Sequence, residues 1–243
     1  MRKKYVLALC MMLIFSLFVA ACGGSAAPEA SAEPTATTAA EPAAAAQSDA
    51  AEPVSGTHTY IIVPDESTAS YIVEEEFFAG ALAKYGIDAG FNTVTGVTNE
   101  IEGQLQLNLD DLSAALGDNH FTVNLPSLAT DREIRDDWIR DNGPNLNAYP
   151  VAEFAGTAIQ NAPASYDAGQ EVTFQLVGDL TIHGVTKNVT FGVTAALAGN
   201  TLTGVAETNL KLTDFGIEPP SFANTLTVAD DFMIHVEFTA REE

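Results

Sequence analysis

The chain has 243 residues, with 33 Asp+Glu against 10 Lys+Arg and a formal net charge of −23. A surface this acidic repels nucleic acid and anionic lipid headgroups, because both are held through Lys and Arg; nucleic-acid binding is excluded as a function class. The two cysteines, Cys10 and Cys22, both precede residue 56, so the part that folds has no disulfide, zinc–thiolate site or cysteine nucleophile to draw on.

The first element in chain order is a leader. Met1-Arg2-Lys3-Lys4 precedes an apolar run from Val6 to Ala21. That run is too short for a bilayer span, which needs ~20 apolar residues, and its flanks are those of a signal peptide. Leu17-Phe18-Val19-Ala20-Ala21-Cys22-Gly23 puts small residues just before a cysteine. It resembles the lipobox of bacterial lipoproteins, which implies a signal peptide at 1–21, cleavage before Cys22 and acylation of Cys22. Two or more acyl chains anchor stably, at ~0.8 kcal/mol per buried CH₂. Residues 22–55 therefore read as a lipidated cysteine and a disordered tether rich in Ala, Pro and Glu. A coil of that length spans roughly 30 Å. The expected location is extracytoplasmic, lipid-anchored to the cell membrane on its periplasmic or cell-surface side.

Residues 56–243 carry 28 Asp+Glu against 7 Lys+Arg and are long enough for one sizeable core. Apolar and polar residues alternate through most of this stretch, the period of half-buried antiparallel strands. Strands are predicted at Ala69–Phe77, Ile101–Leu109, Phe121–Leu125 and Val151–Ile159. Val172, Phe174, Leu176, Gly178, Leu180 and Ile182 form the next inward set, followed by Val189, Phe191, Val193 and Ala195. Leu202 through Leu212 repeat the pattern at even positions, and Phe232, Ile234, Val236 and Phe238 share one face near the C-terminus. Turn signals at Asp167-Ala168-Gly169, His183-Gly184, Ala198-Gly199-Asn200 and Pro219-Pro220 separate them.

Two stretches break the rhythm. Glu74 to Asn92, with Phe77 through Gly86 at its centre, reads as a short helix or an apolar loop. Asp131–Arg140 has Ile134, Trp138 and Ile139 at helical spacing, and these three are expected to cap one end of the fold. Eight or so strands with one apolar face predict an all-β meander closed into a barrel, which leaves no sticky edge. A two-sheet sandwich fits the same pattern.

Sites for chemistry are scarce. His58, His120, His183 and His235 show no metal-ligand spacing such as H-x-H or H-E-x-x-H. His120 and His235 fall on outward faces, and His183, beside Gly184, suits a ring-to-backbone hydrogen bond. Asp136, Asp137, Asp141, Asn142 and Asn145 do not follow the EF-hand spacing. Asn188-Val189-Thr190 is a sequon inside a strand. Neither G-x-S-x-G nor a P-loop occurs, so no catalytic residue, metal site or cofactor is assigned. The inward aromatics Phe121, Phe154, Phe174, Phe191 and Phe232 either line a channel or fill a solid core, and alternation alone serves both.

The segment Gly178-Asp179-Leu180-Thr181-Ile182-His183-Gly184-Val185-Thr186-Lys187-Asn188-Val189-Thr190-Phe191 resembles the central motif of the YceI-like domain family. Thr95-Gly96 to Glu102-Gly103, Leu128-Ala129-Thr130, Tyr149 to Phe154 and Asp214-Phe215-Gly216-Ile217 match in the expected order, so the resemblance runs from about residue 58 to 240. It implies a lipocalin-like, eight-stranded antiparallel β-barrel with one or two short helices and an elongated apolar cavity. It further implies an apolar ligand, such as an isoprenoid quinone or polyprenyl lipid. Cavity-lining candidates are Phe121, Val123, Phe154, Phe174, Leu176, Phe191, Val193, Phe232 and Ile234. Two departures stand out. Leu212 lies where many members carry an Arg before the Asp-Phe-Gly segment, and the Phe77–Phe91 region is longer than in the shortest members, which suits a lid or a homodimer contact. The expected function is an extracytoplasmic lipoprotein that holds or shuttles a long apolar lipid and is not an enzyme. The alternative is a filled barrel acting as an interaction or stress-response module.

Overall fold

In a computed structural model, residues 55–243 are described, apart from 79–85, 87–88, 115–116, 165, 168 and 224. The signal peptide, Cys22, most of the tether and much of the Phe77–Phe91 region lie outside the described residues.

The chain forms strands β1 (Thr57–Ile62), β2 (Thr68–Phe77), β3 (Gly90–Thr98), β4 (Ile101–Asn108) and β5 (His120–Asn124). Helix α1 (Glu133–Asp141) follows, then β6 (Val151–Gln160), β7 (Glu171–Ile182), β8 (Val185–Ala198), β9 (Thr201–Lys211), β10 (Ser221–Phe222) and β11 (Leu226–Glu242). Hydrogen-bonded neighbours run β1-β4-β5-β6-β7-β8-β9-β11. β11 then closes the ring on β1 through Tyr60–Glu242, Ile61–Arg241 and Ile62–Ala240. All pairings are antiparallel.

β2 and β3 extend this ring at one end. β2 pairs with β11 from Leu226 to Glu237, and β3 pairs with β2. β1 and β2 thus act as one bent strand beside the long β11, with β3 and β4 as a second. The bend between β1 and β2 is fixed by buried Ser67. Its hydroxyl donates to the Val63 carbonyl at 2.8 Å and accepts the Thr239 N–H at 3.0 Å. Counted this way the barrel is an eight-stranded up-and-down meander, as the alternation predicts.

β1 and β3 were not among the predicted strands. The inward positions of β3 are Val94, Gly96 and Thr98, while Phe91 on the same strand is 75 % exposed; its alternation carries almost no apolar contrast. In β6 the inward set changes parity. Gly156 pairs with Gly178 and Ala158 with Val177, which leaves Thr157 as an extra, bulged residue. Phe154 and Ile159 consequently both face inward.

The two-residue connection from β7 to β8 is His183-Gly184, with φ of 53° and 73°. Positive φ at both positions is the twist-matched hairpin turn. The His183 ring lies against Tyr149, centroids 4.0 Å apart, and its Nδ1 is 3.3 Å from the Phe215 carbonyl oxygen. That carbonyl belongs to the short 3-10 turn Leu212–Phe215, whose Phe215 side chain is fully buried. Helix α1 forms where expected, but Ile134 does not cap the barrel: it is 81 % exposed. Asp136 is the one buried residue of α1; Trp138 and Ile139 are half-buried, and ion pairing through Arg135 adds to the edge-on contact of Trp138 with Phe222 in seating the helix.

Candidate functional site

The inner faces of the strands line a cavity of about 230 Å³ within the barrel. For scale, an apolar cavity of ~150 Å³ stays dry and admits benzene. All nine sequence-predicted candidates line it: Phe121 and Val123 from β5, Phe154 from β6, Phe174 and Leu176 from β7, Phe191 and Val193 from β8, and Phe232 and Ile234 from β11. The alternation on each strand places them there.

Glycine makes room for one of the rings. A Cβ on Gly178 would lie 2.5 Å from Cζ of Phe154 and 2.4 Å from the Ala155 carbonyl oxygen. The Phe154 ring therefore crosses over Gly178 and meets Phe191 edge-on, with centroids 5.1 Å apart at 79°. Phe121 stands 6.4 Å from Phe154, so three aromatic rings from three strands form one wall.

Phe174 is the floor. It also borders a second void of only about 20 Å³ among Leu107, Ile159, Tyr166, Leu197 and Leu202. At the opposite end the roof consists of Leu125, Leu128, Pro144 and Leu146 from the segment between β5 and β6, with Leu212 and Ile217 from the turn after β9. The position noted in the sequence as lacking an arginine, Leu212, is thus an apolar roof residue. No periodicity reveals the loop contributions, since residues 125–150 return to the barrel only through tertiary contacts. Tyr71 was missed although a signal existed: it shares the parity of Ala69 and Val73 on β2.

The roof is laced by charge. Arg135 of α1 donates through Nε and Nη2 to the two carboxylate oxygens of Glu75 on β2, at 3.1 and 3.0 Å. Both side chains are largely buried, 13 % and 7 % exposed. Its Nη1 donates to Asp131 at 2.6 Å and to the Thr130 hydroxyl at 2.9 Å. Burial works against the Arg135 charge, but the bonds to Glu75 and Asp131 outweigh it and raise its pKa. The buried Asp136 carboxylate accepts the Thr130 N–H at 3.0 Å and its hydroxyl at 2.7 Å. Arg140 donates to the Pro126 carbonyl at 2.9 Å. Such a pair contributes orientation more than net stability, because desolvation offsets much of its attraction.

Among the described residues no group of three His, Cys, Asp or Glu is placed to hold a metal ion. The chemistry on offer is apolar enclosure. Burial raises the Tyr60 phenol to about 12 and the Tyr71 phenol further still, so both remain protonated and neither is a base.

The YceI-like domain family matches residues 60–240. This chain belongs to the YceI-like family. A UPF0312 protein of Pseudomonas putida strain W619 is 39 % identical over 82 residues, which is 31 % of this chain and 39 % of that protein. The same protein from strain GB-1 matches to the same extent. The match thus spans less than half the length of these curated relatives. Two solved structures share the YceI-like fold. BcnA of Burkholderia cenocepacia superposes with a TM-score of 0.55 at 19 % identity, over 73 % of this chain and 98 % of that one. A polyisoprenoid-binding domain from Saccharophagus degradans, implicated in plant cell wall breakdown, gives 0.54 at 12 % identity over 76 % and 98 %.

Proposed function

We propose that this protein is an extracytoplasmic lipid-binding lipoprotein that holds or shuttles a long apolar molecule, of isoprenoid-quinone or polyprenyl type, in the barrel cavity. The observation that carries the reading is the almost wholly apolar cavity of about 230 Å³. A slender chain that buries roughly 300 Å² there gains about 7 kcal/mol, from which ordering and association costs are subtracted. The polyisoprenoid ligand named for the Saccharophagus degradans domain supports the same class of cargo. Acyl chains on Cys22 would keep the barrel within reach of the membrane that supplies such lipids.

The test is native mass spectrometry of the intact protein, purified from membranes, together with chromatography of its organic extract. The expected result is one long-chain lipid per protein and an N-terminal peptide carrying the acylated Cys22. A clean apo mass that persists after incubation with quinones and fatty acids would point to a barrel that serves as an interaction module. An unmodified Cys22 would remove the anchor.

A further inference from the structure

Resting on the lipid-holding reading above, we propose that this barrel selects lipids with an uncharged, hydrogen-bond-accepting head group, such as a quinone or ketone carbonyl. The Tyr71 hydroxyl is the donor, and anionic heads such as phosphate are turned away.

β2 alternates Ala69, Tyr71, Val73 and Glu75 onto the inner face. Tyr71 lines the cavity. Its ring lies over Gly96 of β3, where a Cβ would stand 2.2 Å from Tyr71 Cε1, and Tyr71 and Gly96 are direct partners in the ladder. The absence of a side chain on Gly96 thus gives the ring its place. The other lining residues with polar side chains are Ser70 and Glu153. Ser70 alternates to the opposite face of β2 from Tyr71, and Glu153 is exposed on the outer face of β6. Tyr71 therefore supplies the phenol of an otherwise apolar chamber.

No hydrogen bond among the described residues occupies its hydroxyl, and burial holds the proton on it. Tyr71 lines the cavity, so an acceptor delivered by a ligand there can take up this donor. The charges that act on this hydroxyl are one guanidinium, Arg135, and three carboxylates, Asp136, Glu75 and Asp131. The guanidinium is already committed: two of its nitrogens bond Glu75 and the third bonds Asp131 and Thr130. Among the described charges that act on this hydroxyl no uncommitted cation is left to meet a phosphate, and the local field is negative. A carbonyl needs a donor and no counter-charge, which is what Tyr71 offers.

Binding of three probes that share a tail length tests this: menaquinone-4, geranylgeranyl phosphate and the headless hydrocarbon phytane. Each would be titrated into the delipidated intact protein in mild detergent. Menaquinone-4 should bind more tightly than phytane, through burial of its ring and one hydrogen bond. Geranylgeranyl phosphate should bind about tenfold or more weakly than menaquinone-4. Tyr71→Phe keeps the ring over Gly96, and it should weaken menaquinone-4 about three- to tenfold, the worth of one hydrogen bond, while phytane is unchanged. Glu75→Gln removes one negative charge and should raise geranylgeranyl phosphate affinity several-fold. Unchanged menaquinone-4 affinity in Tyr71→Phe, or phosphate binding equal to that of the quinone in the unmodified protein, overturns the head-group assignment while the lipid-holding reading stands. Failure of all three probes, phytane included, overturns both.

Discussion

The two halves of the barrel, divided at Phe174, are built from the same alternation yet differ in what they enclose. Below Phe174 the side chains of Leu107, Leu197, Leu202 and Ile159 leave about 20 Å³. Tyr60 is fully buried there with β1, and Tyr166 reaches in from the β6–β7 connection to donate its hydroxyl to the Leu197 carbonyl at 2.5 Å. Above Phe174 the inner positions include Ala69, Ala152, Val123, Val193, Ala206 and Val236, and about 230 Å³ stays open. The open half is closed by a segment that spans the end without filling it. Alternation decides which side chains point inward; their volume, layer by layer, decides whether a chamber remains.

The largest way to break this contrast is to remove the floor. Phe174→Ala should join the two voids and cost about 4 kcal/mol, by lost burial and added cavity, measured by guanidinium unfolding followed by circular dichroism. The same variant should accept a longer chain; an unchanged preference for chain length would show that Phe174 is not the floor. The roof comes next. Arg135→Ala leaves Glu75 buried and unpaired, which should cost about 3 kcal/mol. Trp138 is the sole tryptophan and packs edge-on to Phe222 at 5.2 Å. Its fluorescence should therefore report release of α1 before the barrel melts.

Matched truncations sharpen the difference between the halves. Leu197→Ala in the packed half should cost about 3 kcal/mol, and Ile234→Ala, whose side chain already faces the open chamber, about 1 kcal/mol. Equal losses would argue that the chamber collapses in solution. The smallest effect is expected at the packed end, where His58 Nδ1 is 2.6 Å from Glu242. That bond, and one to the Ser55 carbonyl, raise the His58 pKa above 6.5. A raised folded-state value means the pair stabilises below pH 6.5 and the gain fades as pH rises through the folded pKa. At a partly exposed site it is worth at most about 1 kcal/mol. Melting temperatures at pH 6 and pH 8, compared between the parent protein and His58→Gln, should show the pH dependence only in the parent.

Much of this arrangement followed from the order of residues alone. Period-two patterns in β7, β8, β9 and β11 mark the faces that turn inward in the barrel, and the nine predicted lining residues all reach one cavity. Such patterns act locally: a strand half in water must separate its apolar side chains from its polar ones. Where that contrast fades, as in β3 with its Val, Gly and Thr, the strand goes unseen. Ile134 shows the opposite failure, since helical spacing marks an apolar stripe but does not say which side of α1 meets the barrel. The Glu75–Arg135 pair decides that, across 60 residues of sequence.

By itself, then, the sequence determined an acidic, cysteine-free domain of antiparallel strands, the inward set on most of them and the turn at His183-Gly184, with closure into a barrel implied by the family motif. Only the tertiary structure decided that the chamber is open above Phe174 and filled below it, that Leu212 and residues 125–146 contribute to its roof, and that Tyr71 stands in it with a hydroxyl that bonds no other described residue. The physical reason is range. Facing is set by neighbours two residues apart, whereas volume, closure and the pairing of buried charge depend on side chains that meet only once the ring of strands has closed.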